Sequence, residues 1–318
     1  MKIITAFLRL IRWQNLVFIA LTQCLFFFCV FHSLAADRPS FPSFYYRGFY
    51  LLMAASLLIA AAGYIINDYF DMHIDAINKP AKVVVDKVVR RRWAIMWHLI
   101  LSFIGIAISI CFSWLFSNSI IAFGNILCVV LLWFYSTTFK KKLLAGNVII
   151  SALTAWVILV IYFAFTDGST SLWPHGNVPA DFNSRKLFKF TILYAGFAFI
   201  VSLIREVVKD LEDMEGDAKY NCRTMPIVWG VPVTKVFAAV WLVVCIAALT
   251  IVQVYAWQLG WRWSTLYSVV LIIIPMIITL KNLHRAVTAA DYHKLSTLIK
   301  FIMLAGILSM LFFLFPRY

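Results

Sequence analysis

Runs of apolar residues recur along this chain, separated by shorter polar stretches that hold most of its charge. Nine runs stand out, at about 14–36, 48–66, 94–116, 119–138, 147–166, 187–205, 233–256, 263–281 and 298–316. A helix of about 20 apolar residues crosses the hydrocarbon core of a bilayer. Only helices and closed barrels satisfy their own backbone hydrogen bonds there. The pattern therefore predicts an all-α integral membrane fold with nine transmembrane helices. Pro275 falls inside the eighth run and predicts a kink. The longest polar stretch, 167–186, reads as a loop, so residues 1–318 are expected to form a single polytopic domain.

Composition removes other fold classes. Of 318 residues, 63% are hydrophobic and 13% charged, whereas a soluble domain is about 45–50% apolar and about 25% charged. A soluble globular enzyme and a disordered binding protein are both excluded. The formal net charge is +14. Seven basic residues (Arg38, Arg47, Arg185, Lys186, Lys189, Arg262 and Arg317) fall on one side of the alternating spans, and the remaining 21 of 28 fall on the other. The positive-inside rule then places the N-terminus and the 67–93, 139–146, 206–232 and 282–297 connections in the cytoplasm, as expected of a plasma (inner) membrane protein. Lys300 counts here as a flank of the last connection. The basic excess is thus explained by topology, and no nucleic-acid partner is expected. The six cysteines form no CxxC pair, and most lie inside apolar runs, where they act as small hydrophobes.

The acids are few and concentrated. Nine of the 14 lie in two windows, Asp68 to Asp75 and Glu206 to Asp217, both on the expected cytoplasmic side. The windows share the pattern D-x-x-D-M-x-x-D-A. Asp68, Asp71 and Asp75 match Asp210, Asp213 and Asp217 at a constant offset of 142 residues. Each window follows the second span of a four-span block. An internal repeat follows, with halves of about 1–146 and 147–285 and a ninth helix at about 298–316. On a continuous helix, positions i, i+3 and i+7 fall within about 60° of one another, so each trio is expected to share one face, and Glu206 to join the second. Clustered carboxylates repel unless cations neutralise them. Oxygen-only donors favour Mg²⁺, which normally completes its shell with water and substrate phosphates. The windows therefore point to a diphosphate held by magnesium. Lys79, Lys82, Lys140, Arg205 and Lys209 lie nearby in sequence as anion contacts.

With these residues in view, the chain resembles the UbiA-type intramembrane prenyltransferases. Asn67-Asp68-x-x-Asp71-x-x-x-Asp75, followed by Ile77-Asn78-Lys79-Pro80, is similar to the family's first aspartate-rich motif. Arg205-Glu206-x-x-Lys209-Asp210-x-x-Asp213-x-x-Gly216-Asp217 is similar to the second. Tyr135-Ser136 through Lys140, then Gly146-Asn147, resembles the stretch between the fourth and fifth helices, and Arg12 to Asn15 resembles the N-terminal signature. The resemblance implies a nine-helix bundle around a central cavity capped on the cytoplasmic side, with two Mg²⁺ ions bridging both motifs to an isoprenyl diphosphate. It implies Asn67, Asp68, Asp71, Asp75, Asp210, Asp213 and Asp217 as metal and diphosphate ligands, with Asp71, Asp213 and Lys140 at the centre of catalysis. Arg12, Asn15, Asn67, Lys82, Tyr135, Arg205 and Lys209 are implied as substrate contacts. The chain departs from many relatives at 81–87, where Ala-Lys-Val-Val-Val-Asp-Lys replaces a basic-Pro run and Lys82 takes the basic position.

The implied reaction is transfer of a prenyl group to a lipophilic acceptor within the membrane, by ionisation of an allylic diphosphate. The form of the second motif most resembles members acting on geranylgeranylglyceryl phosphate, an ether-lipid precursor alkylated on a glycerol hydroxyl. The Ile74-Asp75-x-Ile77-Asn78-Lys79-Pro80 run is also similar to members with aromatic or chlorin acceptors, which leaves a quinone, tocopherol or chlorophyll type of acceptor open. A transporter with central acids is the non-enzyme alternative. It would place charge near the membrane midplane, whereas both windows lie at span ends on one side.

Overall fold

The computed structural model describes residues 2–35, 43–78, 84–86, 88–166 and 184–315. Lys79, Lys82 and most of the 167–186 stretch lie outside the described residues. Among those described, nine helices are long and apolar enough to cross a membrane: Trp13–Leu34, Ser43–Asn78, Arg91–Leu115, Ser119–Thr137, Ala145–Phe165, Arg185–Glu212, Gly230–Gln258, Arg262–Arg285 and Ala289–Leu314. They coincide with the nine apolar runs. The second, sixth and ninth extend well into windows that the hydropathy pattern assigns to connections. The polar residues there continue a helical path because no Gly or Pro interrupts Ile65 to Asn78. The short helix Lys2–Leu10 precedes the first span.

The helices group into two compact units. One comprises Met1–Phe139 with Trp156–Ile192, the other Lys140–Ala155 with Leu193–Tyr318. In the first, the third span follows the second closely because Gly105 lets the backbones approach. A Cβ there would lie 2.8 Å from Ile59 Cγ1. Gly124 of the fourth span similarly receives the ring of Trp156. Small residues at helix contacts are how spans pack without a hydrophobic drive between them. Polar cross-links add specificity. Asn125 donates to Ser109 at 2.8 Å and accepts from Trp156 Nε1 at 3.2 Å. A small core of Ala6, Leu10, Ile65, Met72, Val84, Val85, Val89 and Ala94 seats the N-terminal helix against the C-terminal half of the second span. This fixes where Arg12 emerges.

In the second unit, Val201, Ile204, Val207, Val208 and Leu211 of the sixth span pack with Leu295, Ile299 and Ile302 of the ninth in one buried cluster. The eighth span carries the irregularity that Pro275 predicts. A wide π-turn at Val269–Ile273 precedes it, and Ile274 N–H bonds back to the Val269 carbonyl. The wider turn is how the helix passes a residue that lacks an N–H and crowds the preceding turn. Large apolar side chains such as Trp114, Phe103 and Ile251 face outward, each more than two-thirds exposed. Such surface requires a lipid solvent.

Candidate functional site

The first aspartate-rich motif rides on the second span. Asn67, Asp68, Asp71 and Asp75 all lie within Ser43–Asn78, so the continuous helix expected for this trio is present. Asn67 and Asp71 are buried, whereas Asp68 and Asp75 are half-buried. Asn67 Nδ2 donates to Asp71 Oδ2 at 2.6 Å. Asn67 Oδ1 is buried with no hydrogen-bond partner. Leaving a buried amide oxygen unsatisfied costs about 1–3 kcal/mol. A neutral oxygen donor beside a fixed carboxylate is what a hard cation would use, so this donor set fits Mg²⁺.

Arg12 completes this end of the first unit. It sits between the N-terminal helix and the first span in a left-handed conformation, φ 50° and ψ 54°, which costs a non-glycine residue about 1–2 kcal/mol. That conformation carries its guanidinium to Asp68, where Nη2 donates to Oδ1 at 2.6 Å, and to within 5.4 Å of the Tyr64 ring. Burial disfavours the charge on Arg12. The charge of Asp68 and its hydrogen bond outweigh this, with Tyr64 and Asp71 adding, and the guanidinium holds its proton more tightly than an ordinary arginine. Asn15 lies in the first turn of the first span, its N–H bonded to the Arg12 carbonyl at 2.7 Å. Tyr135 is half-buried near the end of the fourth span.

The second motif is built differently from the expectation of one continuous helix. The sixth span ends at Glu212, Asp213 occupies a bend at φ −95° and ψ 5°, and a separate short helix runs Met214–Lys219. Asp210 and Asp217 therefore belong to different helices. The hydrogen-bond ladder continues through the bend, Asp213 N–H to Lys209 O at 2.9 Å and Asp217 N–H to Asp213 O at 3.2 Å. It keeps Asp217 within electrostatic reach of Asp210. Asn147 Nδ2 donates to Asp210 Oδ2 at 2.8 Å, the counterpart of the amide–carboxylate pair in the first motif. Sequence reading quoted Asn147 but gave it no role. It lies 63 residues from Asp210, so no local spacing connects the two.

The bases of the second motif surround Glu206. Lys209 Nζ lies 2.9 Å from Glu206 Oε2 and Arg205 Nη1 lies 3.2 Å from Oε1. Glu206 thus pairs with its neighbouring bases in this structure. Lys140 occupies a short turn at Phe139–Lys141 and lies within electrostatic reach of Glu206. An Arg223 N–H bond to the Lys141 carbonyl at 2.8 Å ties this turn to the segment after the motif. Leu143 and Leu144 anchor it to the second unit's core. Within neither unit do three His, Cys, Asp or Glu side chains among the described residues converge into a preformed metal cage.

Comparison with known proteins decides the family. The model of the UbiA prenyltransferase family matches residues 24–312. The chain belongs to this family. It is a prenyltransferase and a multi-pass integral membrane protein. Among curated relatives, the digeranylgeranylglyceryl phosphate synthase of Methanospirillum hungatei is 32% identical over 231 residues, 72% of each chain. That of Methanoregula boonei is 33% identical over 239 residues, 71% of this chain and 72% of the relative. Among solved structures, one of a digeranylgeranylglyceryl phosphate synthase in membranes is similar at a TM-score of 0.61 and 22% identity, covering 98% of this chain and 99% of that one. A UbiA homologue from Archaeoglobus fulgidus bound to GPP and Mg²⁺ is similar at a TM-score of 0.58 and 15% identity, covering 96% of this chain and 99% of that one. These likenesses establish the nine-span all-α fold as that of the family.

Proposed function

We propose that this prenyltransferase moves a geranylgeranyl group from geranylgeranyl diphosphate to the free glycerol hydroxyl of geranylgeranylglyceryl phosphate. The observation that carries this reading is about 30% identity, over more than two-thirds of the chain, to enzymes named for that product. Both aspartate-rich motifs of this chain support it. Residues 1–146 and 147–285 are read as duplicated halves, and the motifs as their equivalent sites on the cytoplasmic side.

Asn67, Asp68, Asp71 and Asp75 from one motif, and Asp210, Asp213 and Asp217 from the other, are assigned to two Mg²⁺ ions and the diphosphate. Bound magnesium would neutralise the diphosphate and make it a better leaving group. Arg12 holds Asp68 in place, and Asn67 and Asn147 hold Asp71 and Asp210. Lys140, Arg205 and Lys209 donate to diphosphate oxygens, whose charge rises as the allylic C–O bond breaks. Glu206 keeps the latter two charged and oriented until substrate arrives. Lys82, Tyr135 and Asn15 are assigned to substrate contact on the family resemblance. The acceptor oxygen then bonds the allylic carbon and loses its proton.

The test uses purified protein in nanodiscs with radiolabelled geranylgeranyl diphosphate and Mg²⁺. Geranylgeranylglyceryl phosphate and a panel of aromatic acids are offered side by side. Product with the glycerol lipid alone is expected. Product with an aromatic acceptor alone would replace the acceptor assignment while keeping the reaction class.

A further inference from the structure

The eighth span ends at Arg285 and the ninth begins at Ala289, so only Ala286, Val287 and Thr288 turn the chain between them. The turn is held from both sides. Thr288 caps the ninth helix, its hydroxyl accepting from Asp291 N–H at 3.3 Å. Asp291 Oδ2 accepts in return from the N–H groups of Val287 and Thr288, at 3.2 and 3.0 Å, and from the Thr288 hydroxyl. Such a reciprocal cap fixes the entry of the chain into a helix. Lys235 Nζ donates to the carbonyls of His284 and Ala286. The end of the eighth span thus has its own cation, and Arg285 is not needed to cap it.

The two helix ends enclose a cavity of about 310 Å³. This is the low end of the range of about 300–1,000 Å³ for small-molecule sites, room for a headgroup and not for a whole lipid. Asn282 and Arg285 line it from the eighth span, and Asp291 and Lys294 from the ninth. Each pair is three residues apart, hence on one face of its helix. Leu295 and Leu298 line it deeper in the ninth span.

The lining carries two cations against one carboxylate, and Asp291 Oδ2 is already committed to the cap. Lys294 lies within electrostatic reach of that carboxylate, whereas Arg285 forms no side-chain hydrogen bond or ion pair among the described residues. A guanidinium matches phosphate oxygens two at a time, and a lysine adds a point charge. One turn deeper, Ile278 on the eighth span and Phe301 on the ninth are each 44% exposed. From the helix ends inward the order is charge, amide and apolar wall. A membrane phospholipid has the same order of phosphate, glycerol backbone and acyl or alkyl chain. None of the lining residues belongs to either aspartate-rich motif. His293, beside Lys294, lies 2.9 Å from Glu212 at the end of the sixth span, so the cavity opens on the side of the second motif. That side is expected to face the cytoplasm, where the leaflet carries anionic lipid and basic pockets between spans bind its headgroups.

We propose that this cavity holds the phosphate of an anionic membrane lipid, with Arg285 as the main donor, Lys294 as the second cation and the lipid chains lying along Ile278 and Phe301. The site is separate from the prenyl-transfer machinery and does not rest on the identity of the acceptor.

Purified full-length protein in neutral maltoside detergent is titrated with phosphatidylglycerol, with phosphatidylcholine and with soluble glycerol 1-phosphate, and the thermal unfolding midpoint is followed. Phosphatidylglycerol is expected to raise the midpoint with saturation, and the other two to leave it nearly unchanged. In the double variant Arg285→Gln with Lys294→Gln, the half-saturating phosphatidylglycerol concentration is expected to rise about tenfold or more, the loss typical of a charge-assisted hydrogen bond. Arg90→Gln with Arg92→Gln removes the same charge from exposed positions at the start of the third span and is expected to titrate as wild type. Equal half-saturation in wild type and the Arg285/Lys294 variant would overturn the site. An equal loss in the Arg90/Arg92 variant would also overturn it, by showing diffuse attraction to net positive charge. Stabilisation by glycerol 1-phosphate equal to that by phosphatidylglycerol would overturn the lipid as occupant. If the double variant does not purify, Lys294→Gln alone is titrated and read in the same way.

Discussion

At the residue scale, each aspartate-rich motif uses the same small device, an asparagine amide that donates to one carboxylate oxygen. Asn67 does this for Asp71 within one helix, at i to i+4. Asn147 does it for Asp210 from another helix. Residues that orient metal-binding carboxylates typically matter by about 10–100-fold in metal affinity or activity. Asn147→Ala is therefore expected to raise the Mg²⁺ concentration for half-maximal rate by about 10–100-fold. A Mg²⁺ titration identical to wild type would reduce Asn147 to a packing residue. Asp71→Ala and Asp213→Ala are expected to lower turnover at least ~100-fold while the protein still inserts and purifies, and near-normal rates in either would contradict the metal assignment. The Asn67–Asp71 pair was legible in sequence because helical spacing places i and i+4 on one face. The Asn147–Asp210 pair was not, because only packing of distant helices brings its members together.

At the element scale, the second span is the clearest link from sequence to site. Its 36 residues extend about 54 Å at 1.5 Å per residue, well beyond the roughly 30 Å hydrocarbon core. The helix therefore carries the motif past the apolar region on the same rigid rod that anchors it. The sixth span reaches its motif by a different route. Its bend at Asp213 turns the last acids onto a short helix, a local break that the repeated spacing did not reveal because both windows read alike in sequence. Gly124 tests the packing that holds such rods in register. A Cβ there would lie 2.3 Å from Trp156 Cζ2, so Gly124→Val is expected to destabilise the protein by about 1–3 kcal/mol, the usual cost of overpacking. Thermal inactivation in detergent would read this as a lower midpoint, and an unchanged midpoint would mean that Trp156 swings aside at no cost.

At the scale of the whole molecule, the expected orientation and the expected metal dependence can each be tested directly. In a cysteine-free background, Ser117→Cys, between the third and fourth spans, is expected to react with an impermeant maleimide from outside intact cells. Lys141→Cys is expected to react only after permeabilisation. The reverse pattern would invert the positive-inside reading. Removal of divalent cations with EDTA is expected to stop prenyl transfer and added Mg²⁺ to restore it, and full activity in chelator would remove the role assigned to the seven motif residues.

The hydropathy pattern alone determined the number and order of the spans, since a bilayer demands about 20 apolar residues per crossing whatever their neighbours. The acidic spacing alone located both motifs, because charge is too costly beside lipid to be placed without purpose. Tertiary structure decided which base meets which acid. Arg12 reaches Asp68 through a left-handed turn, and Arg205 and Lys209 share Glu206. Side-chain pairing across helices depends on their register, which contacts such as Gly306 with Phe197 set through shape. No spacing along a single strand of sequence records it.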